Sequence, residues 1–330
     1  RGTDFVMRKE VLAVGCALMV FCGCGKNNAA QHYESGWAAM GKKDYTTAVN
    51  EFQQVIDQNS RLAESYRAEG IAYYSEKAYP EAIAAFSRSL NNMDDPDKEF
   101  KKDVQFYLAQ ARMDYGEVDK AIEVYSEILK AGEDEQAFFL RGKAYISMED
   151  YKNAEKDFQR ALEGCEDYNL YINIYQIYVD HNKAVDGDAY LKMALELEPQ
   201  DGEDCYHRGR IYEYEKNYEA ARDELKTAME QGYEDAMLLL GRVYLEMEDP
   251  ASARSMYQEY LQKSEQGAKA YNGLAMCDIY DGAYDSALEN IAQGLKENSK
   301  EDEQGLLYNE IVAYEYKRDF ATAKEKMKIY

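Results

Sequence analysis

Histidine is almost missing from this chain of 330 residues: His32, His181 and His207 are the only three, and they lie far apart. That scarcity argues against a histidine-based metal centre and against a histidine general base paired with a nucleophile, since both need the ring brought next to partner side chains. A disulfide framework is lacking too. Of the six cysteines, Cys165, Cys205 and Cys277 stand alone with no CxxC pair or ligand cluster around them, and they read as small buried apolar residues. Positive charge is scarce: Lys plus Arg number 39 against 63 Asp plus Glu, a net charge of -24. Such an excess of carboxylates repels a phosphate backbone, so nucleic acid is excluded as a partner. No apolar run is long enough for a membrane-spanning helix, which needs about 20 residues. Gly23-Cys24-Gly25-Lys26 lacks the leading glycine and the trailing Ser or Thr of a phosphate loop, and the acidic stretches at 180–188 and 278–289 do not set oxygens at calcium-loop spacing. No cofactor, metal or catalytic residue is expected, and the chain does not read as an enzyme.

What is abundant is apolar and aromatic. Hydrophobic residues make up 46% of the chain and tyrosine occurs 31 times, which is too apolar for disorder, so the acidity reads as a solvated surface around a real core.

The first residues have a plan of their own. Met7-Arg8-Lys9 is a short positive start, Val11 to Gly23 is apolar and uncharged, and small Gly23 precedes Cys24. That order matches a secretory signal. Phe21-Cys22-Gly23-Cys24 resembles the lipobox of bacterial lipoproteins, with Phe21 and Cys22 where Leu and Ala or Ser are usual. The resemblance implies cleavage before Cys24, lipidation of its sulfur by several acyl chains, and an anchor on the extracytoplasmic side of the cell membrane. Residues 1–23 are then an upstream extension plus signal peptide, 24–28 a short tether, and 29–330 the folded part.

The folded part repeats. Gly36 is followed at fixed steps by Ala48, Phe52 and Val55; Gly70 by Ala82, Phe86 and Ser89; Gly142 by Ala154, Phe158 and Ala161; Gly241 by Ala253, Tyr257 and Tyr260. The same ruler sets units starting near Ala29, Ala63, Lys102, Glu135, Tyr168, Gly202, Glu234, Ala268 and Gln304. The period is about 34 residues, as in stacked helical repeats. Small residues on two facing helices let the backbones approach, and large ones fill what remains. Tyr73, Tyr145, Tyr178, Tyr212, Tyr244 and Tyr314, one turn past the first small position, read as core wedges. Lys43-Asp44-Tyr45, Glu149-Asp150-Tyr151 and Lys216-Asn217-Tyr218 fall where the two helices of a unit must turn, and Asn92 to Lys98 reads as a lengthened surface loop.

This pattern resembles the tetratricopeptide repeat. The resemblance implies an all-α, right-handed α-solenoid of about nine helix-turn-helix units that binds extended peptides or helices along its concave face, lined by the second, fifth, ninth and twelfth positions of each first helix. Carried onto this sequence, those positions include Tyr33, Trp37, Arg67, Tyr74, Phe106, Phe139, Lys143, Tyr206, Arg210 and Arg242. Arg67, Lys143, Arg210 and Arg242 suggest a carboxylate-bearing, partly apolar guest. The competing expectation is that many of these side chains bury one another. The Lys and Asn clamp of chaperone-tail binders is not reproduced. The chain is therefore expected to be a lipid-anchored scaffold or adaptor for envelope proteins. The alternative is a ligand-capturing or cell-wall-binding lipoprotein holding a glycan or small peptide, with Tyr33, Trp37 and Tyr74 stacking on sugars.

Overall fold

The computed structural model of the protein describes residues 28–93, 97–297 and 300–330. The expected signal sequence and lipobox, with Cys24, lie outside the described residues. Among these residues eighteen helices pair as nine hairpins. They are α1 (Asn28–Gly41) with α2 (Tyr45–Asp57), α3 (Leu62–Ser75) with α4 (Tyr79–Asn91), α5 (Lys98–Tyr115) with α6 (Val118–Ala131), and α7 (Glu135–Ser147) with α8 (Tyr151–Ala161). Then come α9 (Tyr168–Asp180) with α10 (Ala184–Leu195), α11 (Gly202–Tyr214) with α12 (Tyr218–Glu230), α13 (Ala236–Glu246) with α14 (Pro250–Lys263), α15 (Ala268–Tyr280) with α16 (Tyr284–Lys296), and α17 (Lys300–Tyr316) with α18 (Phe320–Met327). The polar stretch from Asn92 is only partly loop, because Asp97 caps the amide of Glu99 and starts α5 at Lys98. Two compact units result: residues up to Cys165 with Gln176–Ala184, and Glu166–Tyr175 with Val185–Tyr330.

Small-against-large pairing explains why each hairpin closes. Ala48, Ala82, Ala121, Ala154, Ala221, Ala253 and Ala287 are completely buried. A Cβ placed on Gly36, Gly70 or Gly142 would fall 2.5, 2.6 or 2.7 Å from a ring carbon of Phe52, Phe86 or Phe158, so each ring packs into space that a side chain would fill. Those three rings are fully buried. Each contributes about 1.5–3 kcal/mol relative to exposure.

The turn inside each hairpin uses one device. Its penultimate residue is left-handed in all nine: Lys43, Lys77, Gly116, Glu149, Asn182, Lys216, Glu248, Gly282 and Arg318. The next amide then reaches back into the last turn of the first helix, as from Asp44 to Ala39 O (3.0 Å), Asp249 to Tyr244 O (2.8 Å) and Asp319 to Tyr314 O (2.9 Å). This is the Schellman closure. The same residue caps the second helix: Asp44, Asp150, Asn217, Asp249 and Asp319 accept the amides of Thr47, Asn153, Ala220, Ser252 and Thr322. Two adjacent residues thus end one helix and start the next.

Several hairpins add a polar cross-link between their helices. Arg141 donates from Nε and Nη2 to both carboxylate oxygens of Asp157 (2.7 and 2.8 Å), Arg208 donates from Nε to Glu224 (2.8 Å), and Lys326 with Glu310 (2.8 Å) has the reverse polarity. Asp278, nearly buried, accepts from Arg254 (2.6 Å), Ser286 (2.7 Å) and Asn290 (2.8 Å), so its charge is fully bonded.

Candidate functional site

In the first unit, most side chains expected on a binding face are engaged inside the fold. Tyr33 and Trp37 pack edge-on against each other and against Phe52, with ring centroids 5.6–6.3 Å apart, and Arg61 covers the outer face of Tyr33 at 4.2 Å. Phe106 and Phe139 are buried against Tyr125 and Phe158. Arg67 pairs with Asp103 at 2.5 Å and lies over Tyr107. The hydroxyl of Tyr74 donates to Asp114, and burial together with that carboxylate pushes the phenol well above its ordinary range. Lys143 is half-buried on α7.

The second unit presents an open groove of about 700 Å³. Tyr206 of α11, Leu238 and Arg242 of α13, and Asn272 and Met276 of α15 line it, all at family binding positions. Tyr257 and Tyr260 of α14 reach it from behind. Tyr206 packs against Tyr233 (4.9 Å), and Arg210 lies over Tyr206 with an Nη1 contact to the ring of His207 at 3.2 Å. Arg242 is held through Nε and Nη2 by both oxygens of Glu213, each at 2.8 Å. Two of the four cations expected to bind a guest carboxylate, Arg67 and Arg242, therefore already have a carboxylate from another helix. The groove also contains acids that the helix positions did not point to: Asp235, Glu265, Glu297 and Asp302.

Three titratable groups nearby are structural. His207, buried and beside Arg210, has its pKa pushed down to about 4. Burial pushes the Cys277 thiol up to about 11 and raises that of Cys205. Burial thus favours the protonated thiol over the thiolate, which is the nucleophilic form, at both positions. Cys165 is less deeply placed than expected, at intermediate exposure. Among the described residues no group of His, Cys, Asp and Glu is arranged to hold a metal ion, and no helix is long and apolar enough to cross a membrane.

One tetratricopeptide repeat family model matches residues 33–97, 206–268 and 238–302, and a second matches 135–167; together they span more than half of the chain. No curated protein matches it in sequence. Yeast Tom70 is similar in structure, 15% identical, with 96% of this chain and 70% of that one covered and a TM-score of 0.53. A tetratricopeptide repeat protein from Parabacteroides merdae is 15% identical over 86% of this chain and 99% of that one, at a TM-score of 0.47. The C-terminal part of a repeat-containing protein from Cytophaga hutchinsonii is also 15% identical, over 73% of this chain and 99% of that one, at 0.46. At such identity the Tom70 match reports a common fold and nothing of the partner. The nine hairpins, their small-against-large pairing and the two family-model matches agree: the chain belongs to the tetratricopeptide-repeat family of protein-interaction scaffolds.

Proposed function

We propose that the protein is a membrane-tethered adaptor at the cell envelope, held by lipid on Cys24 and docking peptide segments or helices of other envelope proteins in the groove of its second unit. The observation that carries the docking half is the set of side chains in that groove: Tyr206, Leu238, Asn272 and Met276 come from three first helices in the positions this family uses. The tethering half is supported by the positive start, short apolar run and cysteine of the sequence. Asn28, the first of the described helical residues, follows Cys24 by four positions, a reach of at most about 14 Å. The first hairpin would then stand close to the lipid surface.

Cross-linking and proximity labelling in the native cell test the docking half. Recovery of envelope proteins, reduced by Leu238→Asp, is expected; a clean monomer after cross-linking would refute it. For the tether, Cys24→Ala is expected to move the protein from the membrane fraction to the soluble one, and continued sedimentation with membranes would refute lipidation. Capture of a glycan or small peptide is the second reading, and Tyr33 and Trp37 favour it little, because both rings are occupied with Phe52.

A further inference from the structure

The charge in the groove of the second unit has a sign, and it is opposite to the one suggested by the arginines of the first helices. Four carboxylates line it: Asp235 just ahead of α13, Glu265 in the loop before α15, Glu297 after α16, and Asp302 in α17. Of its two cations, Arg242 is held by both oxygens of Glu213, leaving Lys269. Glu297 accepts the amide of Gly267 at 2.7 Å, and Asp235 accepts the hydroxyl of Tyr260 at 3.4 Å. Both donors are neutral, so these bonds orient the carboxylates without cancelling their charge. Between the acids lie apolar surfaces, half-buried Leu238 on α13 and exposed Met276 on α15, the latter flexible enough to fit irregular side chains.

We infer that this groove takes a peptide segment carrying an apolar side chain flanked by lysine or arginine. The apolar residue sits against Leu238 and Met276, and the flanking cations meet the carboxylates of Asp235, Glu265 and Glu297 that line the same groove. The inference rests on the docking reading above and does not depend on the tether. Complementary charge of this kind fixes the choice of partner and speeds encounter, and it weakens with salt.

The test uses the full chain and two labelled peptides that share a Leu-Phe centre, one flanked by lysines and one by glutamates, with binding read by fluorescence anisotropy. The lysine peptide is expected to bind at least tenfold more tightly at low salt, with the gap narrowing as salt rises. Two exposed positions give opposite shifts: Glu265→Lys weakens the lysine peptide several-fold, and Lys269→Glu strengthens it, with the helical signal of both variants unchanged. Equal affinity for the two peptides, or no response to either variant, overturns the inference. Preference for the glutamate peptide, lost in Lys269→Glu, overturns the charge assignment while the docking reading stands. If neither peptide binds, the groove assignment falls, and cross-linking in cells decides the scaffold reading separately.

Discussion

Replacing Gly241 with alanine tests the packing logic of the array, because two opposing effects predict opposite signs. A methyl at Gly241 would lie 2.6 Å from Cζ and 2.7 Å from Cε1 of Tyr257. Carbon atoms rest at about 3.5–4.0 Å, so the overlap is about 1 Å. The ring cannot retreat, since Gly273 of the following hairpin presses the same ring from the other side and Tyr257 is only 4% exposed. Overfilling a packed site costs about 1–3 kcal/mol, while Gly to Ala in a helix returns at most about 1 kcal/mol. The expected net is a loss of about 1–2 kcal/mol. Gly41→Ala is the control: nothing lies within 4 Å of its Cβ position, and α1 should gain a few tenths of a kcal/mol. Repeat arrays open segment by segment, so hydrogen exchange of α13 and α14 in graded urea is a sharper readout than a global midpoint. In a Tyr257→Ala background the Gly241→Ala penalty should vanish, and the double-mutant cycle isolates the clash. Stabilisation by Gly241→Ala in the parent protein would refute the clamp.

Three further outcomes follow from the turns and the buried charges. Lys77→Gly and Glu248→Gly should each stabilise by about 0.5–1 kcal/mol in urea titrations, because an L-residue in the left-handed region is disfavoured by about 1–2 kcal/mol and glycine's extra chain entropy offsets only part of that. Stability should fall with pH in two stages. His207 stays neutral when folded down to about pH 4 but takes up a proton near 6.5 when unfolded, so stability declines as pH drops between those values, and His207→Gln should flatten that slope. Below about 3.8 the helix-capping carboxylates of Asp44, Asp249 and Asp319, all depressed by their hydrogen bonds, lose the contribution they make above it, and Asp249→Asn should blunt this second stage in circular dichroism. Asp278→Ala should destabilise by about 2–4 kcal/mol, because three donors lose a buried charged acceptor, whereas Asp285→Ala on the exposed side should change stability by less than about 1 kcal/mol.

The hairpins could be read from sequence because the deciding contacts lie at a fixed distance along the chain. Gly36 meets Phe52, Gly70 meets Phe86 and Gly142 meets Phe158 at one spacing, and a local ruler captures it. The clamp on Tyr257 could not be read that way. Tyr125 in the third hairpin faces Ala109 and is equally buried, so alanine and tyrosine coexist at these positions, and only Gly273 from the next unit makes Gly241 different. The polar cross-links were also hidden: the positions of Arg141 and Asp157 hold Leu108 and Val124 in the third hairpin and Leu240 and Met256 in the seventh, so no common residue type marks them. The lining of the groove follows the helix positions in part, and its charge does not. Leu238, Asn272 and Met276 follow helix positions, yet Glu265 and Glu297 come from connections between hairpins, where a helical ruler has no register. Likewise Arg67 and Arg242 looked available, because Asp103 and Glu213 belong to neighbouring hairpins.

The connections inside the hairpins are three residues long in eight cases and two in the other, whereas those between hairpins vary from three to six. The left-handed residue and the cap that follows it leave the inner turns no slack, so changes in length fall on the outer side. Those outer connections supply Glu265 and Glu297 to the groove. Selection can therefore lengthen, shorten or recharge the segments that meet a guest without touching a single glycine-ring contact. In this array the parts that hold shape and the parts that choose company are separately adjustable.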